Sequence, residues 1–331
     1  MRAEPECIPC ILKDIEEAGR IVLKDREKVT LLLKRSMEFL SKEFDGKNPP
    51  PYYITEVHRI LKEISGLEIP FEERRMRCTE IGLQISKRID KETRKLDGFE
   101  RFAQLALWAV AGNSIDFRTV GSGYDSDLSK IEGKWREVFS QGLAVDERRK
   151  VWEALQRSKR VLYIPDNVGE LALDHLLMKF MKERVGAYGD TPLLVVGMRG
   201  GAITSDATME DAKTMGLDRI VDHLILTGPD TLGIPLPPLL KGDKGGFTEM
   251  SKDLREELHL SDLVIAKGQA NYQVLSALKE SPQFRAPHSA SPMALSATLR
   301  IPKCACLFTT KCNLVSSRFG LEGKVGIVKM I

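Results

Sequence analysis

The stretch VLYIPDNVGE, residues 161–170, carries an apolar run through Pro165 into Asp166 and Asn167, two oxygen-bearing side chains where the chain must turn. Comparable residues close three later apolar runs. RGGAITSD leads to Asp206, KGQAN carries Lys267 and Asn271, and Lys311 follows CACLFTT. Carboxylate and amide oxygens are hard ligands of the kind Mg²⁺ and Mn²⁺ take, and ammonium groups supply point charge for a phosphate that the same metal touches. If the runs are parallel strands, these groups gather on one edge, and the set reads as phosphoryl chemistry. An asparagine in place of a third acid limits negative charge beside an anionic substrate. Gly169, Gly200, Gly201 and Gly268 would let backbone amides approach phosphate oxygens.

Each position also has a plainer role. Asn167 with Glu170 three residues on has capping-box spacing, Asp206 could cap a helix starting at ATMEDAK, and Lys267 and Lys311 could simply end strands. Convergence of all of them at one sheet edge is what favours a site.

The elements that would position them follow from periodicity. From Cys10 to about Glu147 apolar residues recur every three or four positions among Lys and Glu, as in ITEVHRILKEI and FERFAQLALWAVAG, which predicts helices. DGKNPPPYY interrupts that pattern with Pro49, Pro50 and Pro51 and is read as a connector outside any helix. After about Val151, six short β-rich runs alternate with amphipathic segments: RVLYIP, TPLLVVGM, DHLILTG, DLVIAKG, CACLFTT and VGIVKM. The expected fold is α/β: a helical domain over 1–147, then a Rossmann-like α/β/α domain over 148–331 with a mostly parallel sheet covered on both faces. LGIPLPPLLKGDKGGF reads as a Pro/Gly-rich loop suited to a lid, and the polar, Pro-punctuated stretch from 281 to 303 as an insertion.

Composition narrows the function classes. With Lys+Arg 50 against Asp+Glu 47 in 331 residues, net charge is too small to argue for nucleic acid. No apolar run approaches the roughly 18 residues that span a bilayer, and MRAEPECIPC has charges where a signal peptide needs apolar residues, so a cytoplasmic protein without a membrane partner is expected. The six cysteines are too sparse for a disulfide framework. Cys7 and Cys10 in CIPC have redox-pair spacing, but only six residues precede them, where a thioredoxin-type motif follows a strand. Structural zinc would need partners from Cys78, Cys304, Cys306 and Cys312, which lack paired CxxC spacing. Semi-buried thiols at a helix start are the plainer reading. The five histidines are not at ligand spacing, and Trp108 reads as core.

In order along the chain, PECIPCIL, AGNSIDF, DNVGE, RGGAITSDAT, KGQANY and TTKC make a set of landmarks covering nearly its whole length. On these the sequence resembles the metal-dependent damage-control phosphatase family, formerly a domain of unknown function, in its archaeal-type branch with an amino-terminal CxxC. The resemblance implies one divalent ion (Mn²⁺, Ni²⁺, Co²⁺ or Mg²⁺) held by Asp166, Asn167 and Asp206, the residues that with Lys311 carry catalysis. It implies that Lys267, Gly268, Asn271 and Lys311 bind the substrate, with Glu170 beside them and Asn113 and Asp116 arriving from the helical part. The substrate class is small phosphate monoesters such as sugar phosphates or damaged nucleotides. Ser205 stands where relatives commonly carry Asn, so a change in the hydrogen bonds around the metal ligands is expected. The rival reading from the transferase class is an S-adenosylmethionine-dependent carboxyl methyltransferase, which would want a Gly-x-Gly loop where this chain has Pro165, Asp166 and Asn167. A third reading is a thiol-based or metal-sensing interaction protein using Cys7 and Cys10. Whether Asp166 attacks phosphorus or only binds the ion stays open, with ligation preferred because Asn167 is adjacent.

Overall fold

The computed structural model describes residues 1–119, 123–124, 131–184, 192–236, 250–281 and 301–331. Most of the expected lid loop and of the expected insertion, residues 237–249 and 282–300, lies outside them.

Five helices lead the chain: α1 Cys7–Val22, α2 Arg26–Glu43, α3 Pro50–Ser65, α4 Glu72–Thr93 and α5 Gly98–Gly112. Their buried positions follow the three-and-four spacing, as with Ile11, Ile15 and Ala18 on α1. Helix α2 starts at Asp25, whose carboxylate accepts from the backbone N–H groups of Glu27 and Lys28. The proline run corrects the sequence reading. Pro49 is the N-cap, and Pro50 and Pro51 are the first residues inside α3. The first-turn N–H groups of a helix have no intrahelical acceptor, so proline there loses nothing and its fixed φ suits the helix.

After α5 come a two-residue ladder between β1 Arg118–Thr119 and β2 Gly123–Tyr124, then α6 Ile131–Gln141, β3 Leu143–Asp146 and α7 Arg148–Arg157. The remaining elements are β4 Arg160–Ile164, α8 Val168–Arg184, β5 Leu193–Arg199, α9 Met209–Thr214, β6 His223–Gly228, α10 Lys252–Leu260, β7 Leu263–Lys267, α11 Gly268–Glu280, β8 Lys303–Thr309 and β9 Gly326–Met330. All six expected strands are present. Strand β3 was missed because its apolar run, Leu143 to Val145, is only three residues long and alternates half-buried with exposed positions.

Seven strands form one sheet in the order β3-β9-β8-β7-β4-β5-β6. Neighbours are parallel except β8 and β9. Alternate residues of each strand go to opposite faces. Val161, Tyr163, Leu194, Ile265 and Leu307 pack with the core that includes α4, α5 and α8 residues, while Leu162, Ile164, Val264 and Phe308 pack with Leu254 of α10 and Leu275 of α11. Both faces are covered, as runs this apolar require. Helices α4 and α8 meet backbone to backbone: a Cβ on Gly82 would lie 2.0 Å from the Gly169 carbonyl oxygen. Gly169 therefore serves this helix crossing rather than an approach to phosphate. Among the described residues no helix is long and apolar enough to cross a membrane.

Candidate active site

Strand order reverses at β4. The chain moves outward from β4 through β5 to β6, then returns to lay β7 on the other side of β4 and β8 beyond it. A crevice opens outside the carboxyl ends of strands at such a switch point, and it is where ligands of open α/β sheets bind. Asp166 follows β4 there, and Gly268 follows β7. Gly268 has φ +80, and a Cβ on it would sit 1.9 Å from Asp166 Oδ2. The left-handed turn and the carboxylate packed against it both require glycine.

A short antiparallel bridge between Asn167 and Asp206 ties the loop after β4 to the loop after β5. Ala207 N–H donates to Asp166 O at 2.7 Å and Val168 N–H to Ser205 O at 2.8 Å. The two acids from separate strands are thus fixed side by side. Asn167 Nδ2 donates to Asp166 Oδ2 at 3.0 Å, and Ser205 Oγ donates to Asn167 Oδ1 at 2.8 Å. Ser205 therefore does enter the hydrogen bonding of the expected ligands. Glu170 Oε1 accepts from the Asn167 backbone N–H at 2.8 Å, so half of the capping arrangement is real, while the Asn167 amide faces Asp166 and Ser205. The cap of α9 is Thr208, with Asp211 completing a capping box, and Asp206 takes no part in it.

Asp206 is fully buried; its Oδ2 accepts from Thr204 Oγ1 at 3.2 Å and its Oδ1 has no partner. Among the described residues, neither Asp166 nor Asp206 forms a salt bridge. Burial, with like charge from Glu170 and Asp206 outweighing Lys311 and Arg199, pushes the Asp166 carboxyl up to about 8. Two buried carboxyl groups, one with an orphaned oxygen, stand beside an amide; these are oxygen donors of the type a divalent cation takes, although among the described residues no group of three or more His, Cys, Asp or Glu is gathered as metal ligands are.

The lysines differ. Lys311 lines a cavity of about 440 Å³ together with Asp166, Asn167, Arg118 and Gln269. Its Nζ donates to Asp116 Oδ2 at 3.0 Å and its backbone N–H to Gln269 Oε1 at 2.7 Å. Burial works against its charge, but Asp116 and Asp166 raise the ammonium above its ordinary value. Lys267, expected at the phosphate, does not line the cavity: its Nζ pairs with Glu170 Oε2 at 2.8 Å and Asp174 Oδ1 at 3.0 Å, fully buried. These two acids outweigh burial and hold Lys267 charged. Asn113 Nδ2 donates to Glu170 Oε2, and Asn113 Oδ1 accepts from Thr309 N–H at 3.1 Å, fastening α5 to the sheet. Asn271 donates to Lys267 O at 2.7 Å, on the strand-end backbone, and likewise does not line the cavity.

Three arginines were missed. Arg199, fully buried, donates to Pro165 O at 2.8 Å and Asn271 Oδ1 at 3.2 Å, bracing the turn before Asp166. Arg75 of α4 donates to the carbonyls of Thr204 and Asp206, both at 2.8 Å, and to Asp211 Oδ2 at 2.6 Å. Arg118 makes a two-pronged pair with Asp14 at 3.0 and 2.8 Å, and Asp14 also holds His58 Nε2 at 2.9 Å. Arg199 had a visible signal, a charge ending an apolar run. Arg75, within EERRMRC, had none.

The family profile described as "Damage-control phosphatase ARMT1-like domain" matches residues 3–325. An uncharacterized protein of Methanocaldococcus jannaschii is 30% identical over 85% of this chain and 85% of its own length. A damage-control phosphatase of Archaeoglobus fulgidus is 28% identical over 83% of this chain and 88% of its own. The crystal structure of a DUF89 family protein from Pyrococcus horikoshii superposes with a TM-score of 0.76 at 24% identity, covering 99% of this chain and 98% of that one, a likeness of fold.

Proposed function

The chain belongs to the damage-control phosphatase ARMT1-like family, and on that premise we propose that it is a metal-dependent phosphomonoesterase acting on small phosphate esters, in the archaeal-type branch with an amino-terminal CxxC. The observation that carries the reading is the pair Asp166 and Asp206, buried together at the switch point, with Asp206 Oδ1 unpartnered. Asp166, Asn167 and Asp206 would hold the ion, with Mn²⁺, Ni²⁺, Co²⁺ or Mg²⁺ as candidates. A divalent ion bound there supplies Lewis-acid polarisation of a phosphoryl oxygen.

The chain's own residues do the rest. Lys311, aimed by Asp116, donates from Nζ to the phosphate and offsets negative charge as the ester oxygen departs. Arg118 adds a second positive group to the cavity wall, locked in place by Asp14. Arg75 and Arg199 hold the backbones that carry the two acids, so the site is assembled before substrate arrives. Asp166 acts as ligand, and water is the nucleophile.

Phosphate release from an ester panel, with and without chelator, tests the proposal. Asp166→Ala and Asp206→Ala should each lose metal-stimulated release and the rise in thermal midpoint that Mn²⁺ gives the parent protein. Retained activity in either variant refutes the assignment.

A further inference from the structure

The cavity lining is of two chemical kinds. Its polar part includes Asp166, Asn167, Lys311, Arg118 and Gln269. Most of these are already engaged: Arg118 with Asp14, and Gln269 with the Lys311 N–H and, through Nε2, with Cys312 Sγ at 3.8 Å. The apolar part of the lining includes Ile11, Pro50, Pro51, Ile54, Leu232 and Leu314, none of which has a side-chain donor or acceptor. Glu6, Asn313 and Ser317 also line it but are exposed. Met1, Ala270 and Gln273 line it too, with the Met1 amino group already donating to Gln273 O at 2.7 Å and Ser276 Oγ at 2.6 Å.

The cysteines complete the apolar wall. Cys7 and Cys10 of the CIPC motif reach the cavity from the start of α1, and Cys312 reaches it from the segment after β8. Burial pushes the Cys7 thiol up and the Cys10 thiol up to about 11, so both stay protonated and behave as small apolar groups rather than nucleophiles.

A hydroxyl buried without a partner gives up its hydration uncompensated, so a polyol would lose affinity at each OH set against the apolar part of the lining. A methylene in the same place gains about 0.8 kcal/mol. The volume lies within the roughly 300–1,000 Å³ of pockets that enclose small organic molecules, so the walls meet the body of the substrate and not only its phosphate.

From this we infer that the substrate is a phosphate monoester of an alcohol with an uncharged, largely apolar body, aliphatic or aromatic, rather than a sugar phosphate. The inference rests on the phosphatase reading and adds the substrate class. Proline pairs and β-branched side chains make the wall rigid, so the preference is one of shape as well as polarity.

The test compares kcat/KM with Mn²⁺ for butyl, hexyl and phenyl phosphate against glycerol phosphate and hexose phosphates. The apolar esters should be favoured at least about tenfold, with about a three- to fourfold gain per methylene until the cavity is filled. Leu314→Gln should erase most of that preference by raising KM for the apolar esters, while Leu314→Met retains it. Titration calorimetry with hexylphosphonate, which is not hydrolysed, should show the same ranking in affinity. Higher kcat/KM for the polyol phosphates, or equal values, overturns the inference and leaves the phosphatase reading standing. No phosphate release from either class with any divalent ion removes that reading and the inference with it.

Discussion

Two clusters of buried acids lie side by side at the switch point, and they are solved differently. Glu170 and Asp174 share the Lys267 ammonium at 2.8 and 3.0 Å, and Tyr163 donates to Asp174 at 2.8 Å. One Asp174 oxygen is unpartnered, but its acid still touches a cation. Among the described residues Asp166 and Asp206 pair with no ammonium; Lys311, which also lines the cavity, donates to Asp116. One pair of acids thus has a countercharge in direct contact and the neighbouring pair has none among the described residues, the contrast on which the proposed cation site rests.

The largest expected effect sharpens that contrast. Asp206→Asn should lower metal-stimulated phosphate release by about a thousandfold or more, since several kcal/mol of charge stabilisation is lost. Its metal-free thermal midpoint should hold or rise, because among the described residues no ion pair is lost with the acid. Lys267→Met should do the reverse. Leaving Glu170 and Asp174 without their ammonium costs about 3–5 kcal/mol, to be read in the urea midpoint with or without metal. A Lys267→Met protein of unchanged stability would break the comparison.

Smaller effects follow. Arg75→Lys keeps a charge but cannot hold two carbonyls and Asp211 together, and Mn²⁺ affinity by calorimetry should fall about 10–100-fold with the fold intact. Lys311→Ala should lower kcat/KM about 10–100-fold and leave Mn²⁺ binding within a few-fold of the parent protein.

The smallest lies at the edge of the cavity. Burial alone would raise the Asp14 carboxyl, but Arg118 and His58 hold it well below the ordinary range. A carboxyl depressed on folding stabilises the protein above its unfolded value of about 3.9, and that stability is lost as pH falls through the folded value. Urea midpoints should therefore drop below about pH 4, and Asp14→Asn should flatten that acid limb.

The strands were legible because buried parallel strands leave unbroken apolar runs, and the acids were legible because charge at the end of such a run is conspicuous. The expected roles of the lysines were not equally readable. Lys267 and Lys311 both follow apolar strands, and only the depth of α8 beneath β7, which puts Glu170 and Asp174 within reach, separates an internal countercharge from a cavity group. The proline run misled because a proline break and a proline helix start look alike in sequence; they differ in whether the helix needs an N–H at the proline's own position, which the first turn does not. Nothing in sequence joins Arg75 to Asp206 or Asp14 to Arg118, since both contacts cross more than 100 residues.

The reach of Arg75 into the loop bearing Asp206 bears on how the molecule could be dissected. A fragment beginning at residue 148 would retain both acids, Asn167, Lys311 and the switch-point crevice, yet the Thr204 and Asp206 carbonyls would face water where a guanidinium now holds them. A cut at residue 148 would keep both acids but give up the clamp that sets their spacing, along with edge strand β3.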